Sequence, residues 1–419
     1  MSENLQKYRY LERFLPDSKS KRLVILTGAR QTGKTTLAKT KYSELNCINL
    51  DAPENREALR SISTVSWAQS VGNAAIDEAQ KEPSLFEKVK YAFDDNAVSF
   101  CVMLGSSQIL LLKKIRESLA GRVSLYEIWP LTMREIFMDI DPHDQQPPLV
   151  DQLFSQTLFD EIFGNLPEIL LEEADFKLRE AEKYLLKWGG MPALLPLSEE
   201  DRWKWLKDYV YTYLERDLSD LARLDDLVPF RTFQKLSALR SAQLLNYSEL
   251  SRDAGLSVDT ARRYLQYLNL SYQTVLLQPY YRNITSSVIK TPKLYWVDVG
   301  LLRQLGGFRS EHFGQVYETM VVGEFIKWIR TAQKQAEIYF YRTRSGMELD
   351  MLIQTSTGLI GIEIKSRKTY AKVDLRAMKE ISQRLGNEWR GGLLVNQGNF
   401  LRKIDEPNIW VIPSRRLFT

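Results

Sequence analysis

Two alternations of apolar and polar residues run along the chain. In the first part, apolar stretches of strand length, RLVILTG (22–28), NCINLDA (46–52), NAAIDEA (73–79) and SFCVMLGSS (99–107), are separated by helical segments such as PSLFEKVKYAFDDN (83–96). Runs that are apolar on both faces predict buried strands, and helices between them predict a parallel sheet covered on two sides. Most of these runs end on a polar residue, at the carboxyl end of the strand where such sheets bind ligands.

Further on the periodicity changes. Residues 159–246 read as helical, and NYSELSRDAGLSVDTARRYLQYLNL (246–270) predicts a helix, a turn at Gly255 and a second helix capped by Ser257, which is helix-turn-helix spacing. Strands or a wing follow at TVLLQPYYRN and KTPKLYWVDVG, and DPHDQQPPLV (141–150) reads as a surface loop. The last stretch predicts a helix (VYETMVVGEFIKWIR), a hairpin, a helix (KVDLRAMKEISQRLG) and late strands (GGLLVNQ, IWVIP). The hairpin alternates with period two. Ile360, Ile362 and Ile364 oppose Gly361, Glu363 and Lys365, while Met347, Leu349, Met351 and Ile353 oppose Glu348 and Asp350.

Composition narrows the class only slightly. At 44% hydrophobic and 26% charged, the 419 residues suit a folded protein of two or three domains. A net charge of +4, from 57 basic and 53 acidic residues, is too mild to argue for nucleic acid, so any basic surface must be local. Cys47 and Cys101, both in apolar runs, are expected to be buried and inert, and two cysteines suit a reducing cytosol. With only His143 and His312, a histidine metal site or catalytic triad is not expected. MSENLQKYRY has no apolar signal core and no run reaches the ~18 residues of a membrane span, so a cytoplasmic location without membrane contact is expected.

Chemistry enters with Gly28-Ala29-Arg30-Gln31-Thr32-Gly33-Lys34-Thr35, followed by Thr36, which fits GxxxxGK[ST] between a strand and a helix. Such a loop aims backbone N–H groups and a helix N-terminus at phosphates; Lys34 would span the β and γ groups and Thr35 would ligate Mg²⁺. In IDEAQ, Asp77 would complete the Mg²⁺ shell and Glu78 would orient or deprotonate the attacking water. Ser106 could report on the γ-phosphate, against a plain strand-ending hydroxyl; Arg122 could act as an arginine finger in cis or in trans, against a structural ion pair. No guanine-specific NKxD motif is present, which favours ATP over GTP. In the hairpin, pairing brings Asp350 towards Glu363 and Lys365, two carboxylates that could hold Mg²⁺ for phosphodiester hydrolysis, with Glu318 or Glu324 as a further acid. The plain alternative is a solvated face with cross-strand ion pairs. Arg262 and Arg263 on the second helix of the pair, and Arg344, Arg367 and Lys368 around the hairpin, are the candidate DNA contacts.

Taken together, GARQTGKTTL, IDEAQK, LGSSQ, SLAGRV with PLTMREIF, GGMPALL, YLERDL, PKLYWVDVGLL, YRTRSGMELDMLI and GIEIKS make nearly the whole chain resemble the bacterial and archaeal ATPases with an AAA-type domain followed by the domain of unknown function numbered 4143. The resemblance implies an α/β protein: a P-loop AAA-type ATPase domain with a parallel sheet (1–190), a helical lid and winged-helix-like domain (191–295), and a PD-(D/E)xK nuclease-like domain (296–419). It places that nuclease motif on Asp350, Glu363 and Lys365, with Glu318 as the helix acid, although Met347-Glu348-Leu349 stand before Asp350 without a Pro-Asp pair. The expected function is ATP hydrolysis that moves on or remodels duplex or branched DNA, coupled to Mg²⁺-dependent cleavage, in a monomer or a homo-oligomer. The rival is an ATP-gated switch that binds DNA or protein through an inactive nuclease fold, and a small-molecule kinase is a weaker third.

Overall fold

The computed structural model describes residues 8–105, 119, 121–140, 143–214, 227–280, 291–309, 314–404 and 408–419. Five strands, β1 (Arg22–Thr27), β2 (Asn46–Asn49), β3 (Ala74–Asp77), β4 (Phe100–Gly105) and β5 (Val123–Glu127), form a sheet of order β2-β3-β4-β1-β5. All of its pairings are parallel. The run RLVILT is apolar throughout because both sides are covered: Leu23 and Ile25 pack with Phe86 and Val89, while Val24 and Leu26 pack with Leu37 and Tyr42. β2 is the exception. It is an edge strand, and Cys47 is exposed there, contrary to expectation; Cys101, on central β4, is buried.

Nine more strands form a mixed sheet: β6 (Gln243–Leu244), β7 (Thr274–Pro279), β8 (Lys293–Trp296), β9 (Glu337–Arg342), β10 (Glu348–Thr355), β11 (Gly358–Lys365), β12 (Trp389–Asn396), β13 (Arg402–Ile404) and β14 (Ile409–Pro413). Their order is β13-β14-β12-β11-β10-β9-β7-β8-β6. The wing is therefore continuous with the C-terminal sheet, joined by the parallel pairs Gln278–Tyr339 and Pro279–Phe340. A boundary at 295/296 would cut β8. Before position 190, the helix Glu172–Trp188 docks on the C-terminal helix Ser414–Phe418, where Arg415 bonds Asp175 at 2.7 Å. One core runs from Trp129 and Leu131 through the helix-turn-helix to Ile360 and Ile412, so the middle and C-terminal parts share their packing.

The helix-turn-helix forms where its pattern requires. Ser257 accepts from the Thr260 amide at 3.1 Å, a side-chain cap on the second helix, Val258–Leu270. Ala261, Leu265 and Leu268 are buried, leaving Arg262 and Arg263 outside.

Two features of the hairpin depart from simple alternation. The β10–β9 register shifts between Leu349 and Leu352. As a result Leu349 packs with Leu352 and Met378, whereas Met351 and Ile353 lie in the opposite core with Ile360 and Ile362. A bulge of this kind breaks the two-residue repeat and re-aims side chains. The face carrying Glu363 is also covered rather than solvated, because the helix Arg376–Leu385 places Met378 and Ile381 in the core behind β11 and β12.

Candidate functional site

The loop between β1 and the helix Lys34–Lys41 lies at the carboxyl end of β1, between β4 and β5. Gly28 passes so close to the next strand's exit that a Cβ would lie 2.1 Å from the Ile128 carbonyl oxygen, and Gly33 turns the chain at φ 94°. Both positions need glycine. Gln31 (φ 61°) and Glu78 (φ 55°) take left-handed conformations without that freedom, a strain of about 1–3 kcal/mol each that clusters at functional sites.

The side chains converge on the loop mouth. The buried Lys34 ammonium donates to the Gly28 and Ala29 carbonyls at 2.9 and 2.7 Å. Thr35 Oγ1 donates to Asp77 Oδ2 at 2.7 Å, and Asp77 Oδ1 accepts the Glu78 amide at 2.9 Å. Gln80 Nε2 donates to Glu78 Oε2 at 2.5 Å. Thr36 is exposed on the first helical turn, and Arg30, Gln31 and Thr32 complete the loop. Ser106 lies outside the described residues.

Arg122 does not reach this mouth. It precedes Val123, which pairs with Leu23 at the amino end of β1, whereas the loop follows Thr27 at the other end. Its guanidinium bonds Asp94 at 2.6 Å. The strand direction thus places Arg122 at the opposite end of β1 from the loop.

Sequence reasoning missed three groups that brace the loop from afar. Buried Arg9 donates to the Thr32 carbonyl (2.6 Å), the Trp129 carbonyl (2.5 Å) and Glu135 (3.0 Å). Tyr209 donates to the Arg30 carbonyl at 3.1 Å and Tyr272 to Thr27 Oγ1 at 3.2 Å. Each stands far from the loop along the chain, so no local motif announces it.

A second polar cluster lies in the mixed sheet. Asp350 and Glu363 face each other next to the Met351–Ile362 pair, and Lys365 Nζ lies 3.8 Å from Asp350 Oδ2 and 2.5 Å from Glu363 Oε1. Asp350 Oδ2 also accepts the Ile364 amide at 2.8 Å, two residues along β11 from Ile362 of the Met351–Ile362 pair. The three predicted residues are thus brought together.

Glu318 joins them from the helix Gly314–Thr331. Glu324 does not: it accepts the Met133 amide at 2.6 Å and pairs with Lys327 at 2.8 Å, against the first domain. Unforeseen members come from β8. Lys293, 2% exposed, lies 3.3 Å from Glu318 and 4.0 Å from Asp350 and also pairs with Glu348; Tyr295 donates to Glu318 at 2.8 Å. The K-x-Y spacing of KLYW, which puts both on one strand face, was the only sequence signal for them.

Electrostatics follow from this crowding. Burial, then the neighbouring Asp350 charge, pushes Glu318 up to about 7 and Glu363 up to about 8. Burial disfavours the Lys293 ammonium, but Glu318, Asp350 and Glu348 outweigh it and raise its pKa. Glu363 Oε2 is buried without a hydrogen-bond partner. Among the described residues, however, no three His, Cys, Asp or Glu side chains converge so as to hold a metal ion. The expected set Glu318, Asp350 and Glu363 is corrected accordingly, because the Lys293 ammonium lies between Glu318 and Asp350.

Of the proposed DNA contacts, Arg262 is exposed and stacked over Tyr247 (4.9 Å), and Arg263 is exposed beside it. Arg344 and Lys368 are exposed on the segments flanking β10 and β11, while Arg367 is exposed and paired with Asp374. Among the described residues no helix is long and apolar enough to cross a membrane.

Comparison with known proteins agrees with this layout. Residues 20–137 match the AAA domain, 179–312 a Domain of unknown function (DUF8612), and 313–417 a Domain of unknown function (DUF4143). The chain thus carries an AAA domain and a DUF4143 domain in an α/β fold with a parallel sheet and a C-terminal mixed sheet. It is 28% identical over 356 residues to an uncharacterized protein of Mycobacterium tuberculosis, covering 83% of this chain and 71% of that one. It is 22% identical over 406 residues to an uncharacterized protein of Methanocaldococcus jannaschii, covering 90% and 82% respectively. Among solved structures, the Walker-type ATPase of Pyrococcus abyssi overlaps 73% of this chain and 97% of its own at 16% identity, with a TM-score of 0.41. An overlap that loose carries no argument about function.

Proposed function

We propose that this chain hydrolyses ATP at the loop after β1 and uses the cycle to act on DNA bound by the helix-turn-helix and the C-terminal sheet. The observation that carries the first half is the Thr35–Asp77 bond at 2.7 Å beside Lys34, at the carboxyl end of a parallel sheet. A hydroxyl and a carboxylate are the hard oxygen donors that suit Mg²⁺, so Thr35 and Asp77 fit the ion that accompanies ATP. When bound, that ion neutralises charge on the β- and γ-phosphates. Loop amides cradle the phosphates, Lys34 turns from its own carbonyls to the γ-phosphate, and Glu78, held by Gln80, orients the attacking water. The DNA half rests on the exposed Arg262, Arg263, Arg344, Arg367 and Lys368. ATP turnover with and without linear, nicked and four-way DNA tests both halves. Stimulation lost in Arg262→Ala/Arg263→Ala supports the reading, and DNA-indifferent turnover removes the DNA half.

A second reading adds Mg²⁺-dependent strand cleavage. It is favoured by the convergence of Asp350, Glu363 and Lys365. Cleavage lost in Asp350→Ala with ATP hydrolysis intact would support it. Protein that leaves every DNA form uncut in Mg²⁺ would defeat it.

A further inference from the structure

The two helices of the helix-turn-helix end in the same way but on different residues. After the first, Tyr247–Asp253, the Gly255 amide bonds the Arg252 carbonyl at 3.2 Å and the Leu256 amide bonds the Ser251 carbonyl at 2.8 Å. After the second, Val258–Leu270, the Tyr272 amide bonds the Asn269 carbonyl at 3.0 Å and the Gln273 amide bonds the Leu268 carbonyl at 2.8 Å. Both are Schellman ends, which put one residue in the left-handed region, usually glycine. Gly255 fits that rule, at φ 67° with nothing within 4 Å of where a Cβ would stand, whereas Tyr272 takes the same conformation at φ 62°. Among the described residues it is the one aromatic side chain held in that region. The helix end itself needs no side chain there, so the ring is kept, at a cost in backbone strain, for what it reaches.

What it reaches is the first domain. The ring is 3% exposed and meets Trp129 edge to face at 5.2 Å, and its hydroxyl donates to Thr27 Oγ1 at 3.2 Å. Thr27 is fully buried, ends β1 and directly precedes Gly28. Glu127, its partner across the β1–β5 ladder, interacts with the same hydroxyl. The Trp129 carbonyl in turn accepts from Arg9, which also bonds the Thr32 carbonyl inside the loop. One side chain therefore ties the end of the second helix to the phosphate loop by two routes, through close-packed groups that have little room to absorb a shift. Arg262 lies eight residues before Leu270 on that helix, about 12 Å along it.

We propose, on the reading of this loop as an ATP site, that Tyr272 is a positioning residue for that site and the contact through which the second helix of the helix-turn-helix senses bound nucleotide. When the loop closes on phosphates, Thr27 and Trp129 shift, the ring follows, and the helix end is held more firmly. Such coupling is reciprocal, so DNA on Arg262 and Arg263 changes nucleotide affinity by the same factor.

Hydrogen exchange on the full-length protein, with and without Mg²⁺ and the β,γ-imido analogue of ATP, tests this without DNA. In wild type the analogue is expected to slow exchange in residues 28–36 and, by about threefold or more, at the Tyr272 and Gln273 amides. In Tyr272→Phe the loop should still be protected while the helix end no longer responds. A protected loop with no response at those two amides in wild type overturns the inference alone, as does a Tyr272→Phe that responds like wild type. A loop that the analogue leaves unprotected defeats the ATP reading and this inference with it. Kinetics give a second readout. A loop shaped for phosphates binds substrate and transition state alike, so Tyr272→Phe should raise KM for ATP about three- to tenfold while kcat falls less than about twofold. A fall in kcat with KM unmoved counts against positioning. Thr27→Val removes the same bond from its other end and serves if Tyr272→Phe misfolds. It should show the same lost response, and the double variant should lose no more than the worse single one; additive losses would mean that the two side chains act separately and would overturn the coupling.

Discussion

The phosphate loop and the acid–lysine cluster handle charge in opposite ways. At the loop, at the carboxyl end of β1, the Lys34 ammonium is held by backbone carbonyls of the loop itself, those of Gly28 and Ala29. In the cluster, Glu318, Glu348, Asp350 and Glu363 are already neutralised by Lys293 and Lys365, with Arg342 bonding Glu348 at 2.8 Å. In the cluster, accepting a ligand means breaking one of these pairs. The two are also linked. Glu324, six residues after Glu318 on the same helix and so about 9 Å along it, bonds the Met133 amide beyond β5. Gln333 near the end of that helix donates to the Leu125 carbonyl of β5 at 3.2 Å.

The sharpest way to separate the two sites is Lys34→Ala. ATP turnover should drop by on the order of 10²-fold or more, with the melting temperature's dependence on pH, which the acid–lysine cluster sets, unchanged. A change in both together would mean that the sites are one functional unit.

Next in size is the link itself. Glu324→Ala strands Lys327, since both are at most 3% exposed. Removing one member of a buried pair should cost about 3–5 kcal/mol in denaturant unfolding. A neutral result would show that the helix is not anchored to the first domain through this pair.

The pH dependence is smaller and specific to the cluster. Glu318 near 7 and Glu363 near 8 hold protons that the unfolded chain, at ordinary carboxylate values, would release. Their contribution is therefore full below about pH 4.5 and is lost as pH rises through 7 and 8. The melting temperature should fall over that range, and Glu363→Gln should flatten the fall. The same slope in the variant would mean that Glu363 does not titrate there.

Smallest of all is Arg122→Ala. Its ion pair with Asp94 is more than a third exposed on both sides and so screened by water, and the monomer's turnover should change less than twofold. A large loss, appearing only at concentrations where copies associate, would restore Arg122 as a finger acting on a second copy.

Local order made part of this legible. A phosphate loop works through consecutive residues, so Gly28 to Thr35 can be read from spacing, and IDEAQ follows at a strand end for the same reason. Ser257 could be recognised as a cap because capping is a contact over three residues. The hairpin was readable in its turn but not in its faces, because the bulge between Leu349 and Leu352 answers to packing against Met378 and to the Asp350–Ile364 bond.

What the chain's own order determined is therefore the set of strands and helices, the loop's chemistry and the approach of Asp350 to Glu363 across a hairpin, all products of neighbours a few residues apart. Tertiary structure alone decided that the wing shares the C-terminal sheet, that Arg122 points away from the loop, and that Lys293 stands among acids 25 to 57 residues further along. The physical reason is that a buried charge is set by whatever surrounds it in space, and burial brings together groups that no periodicity connects.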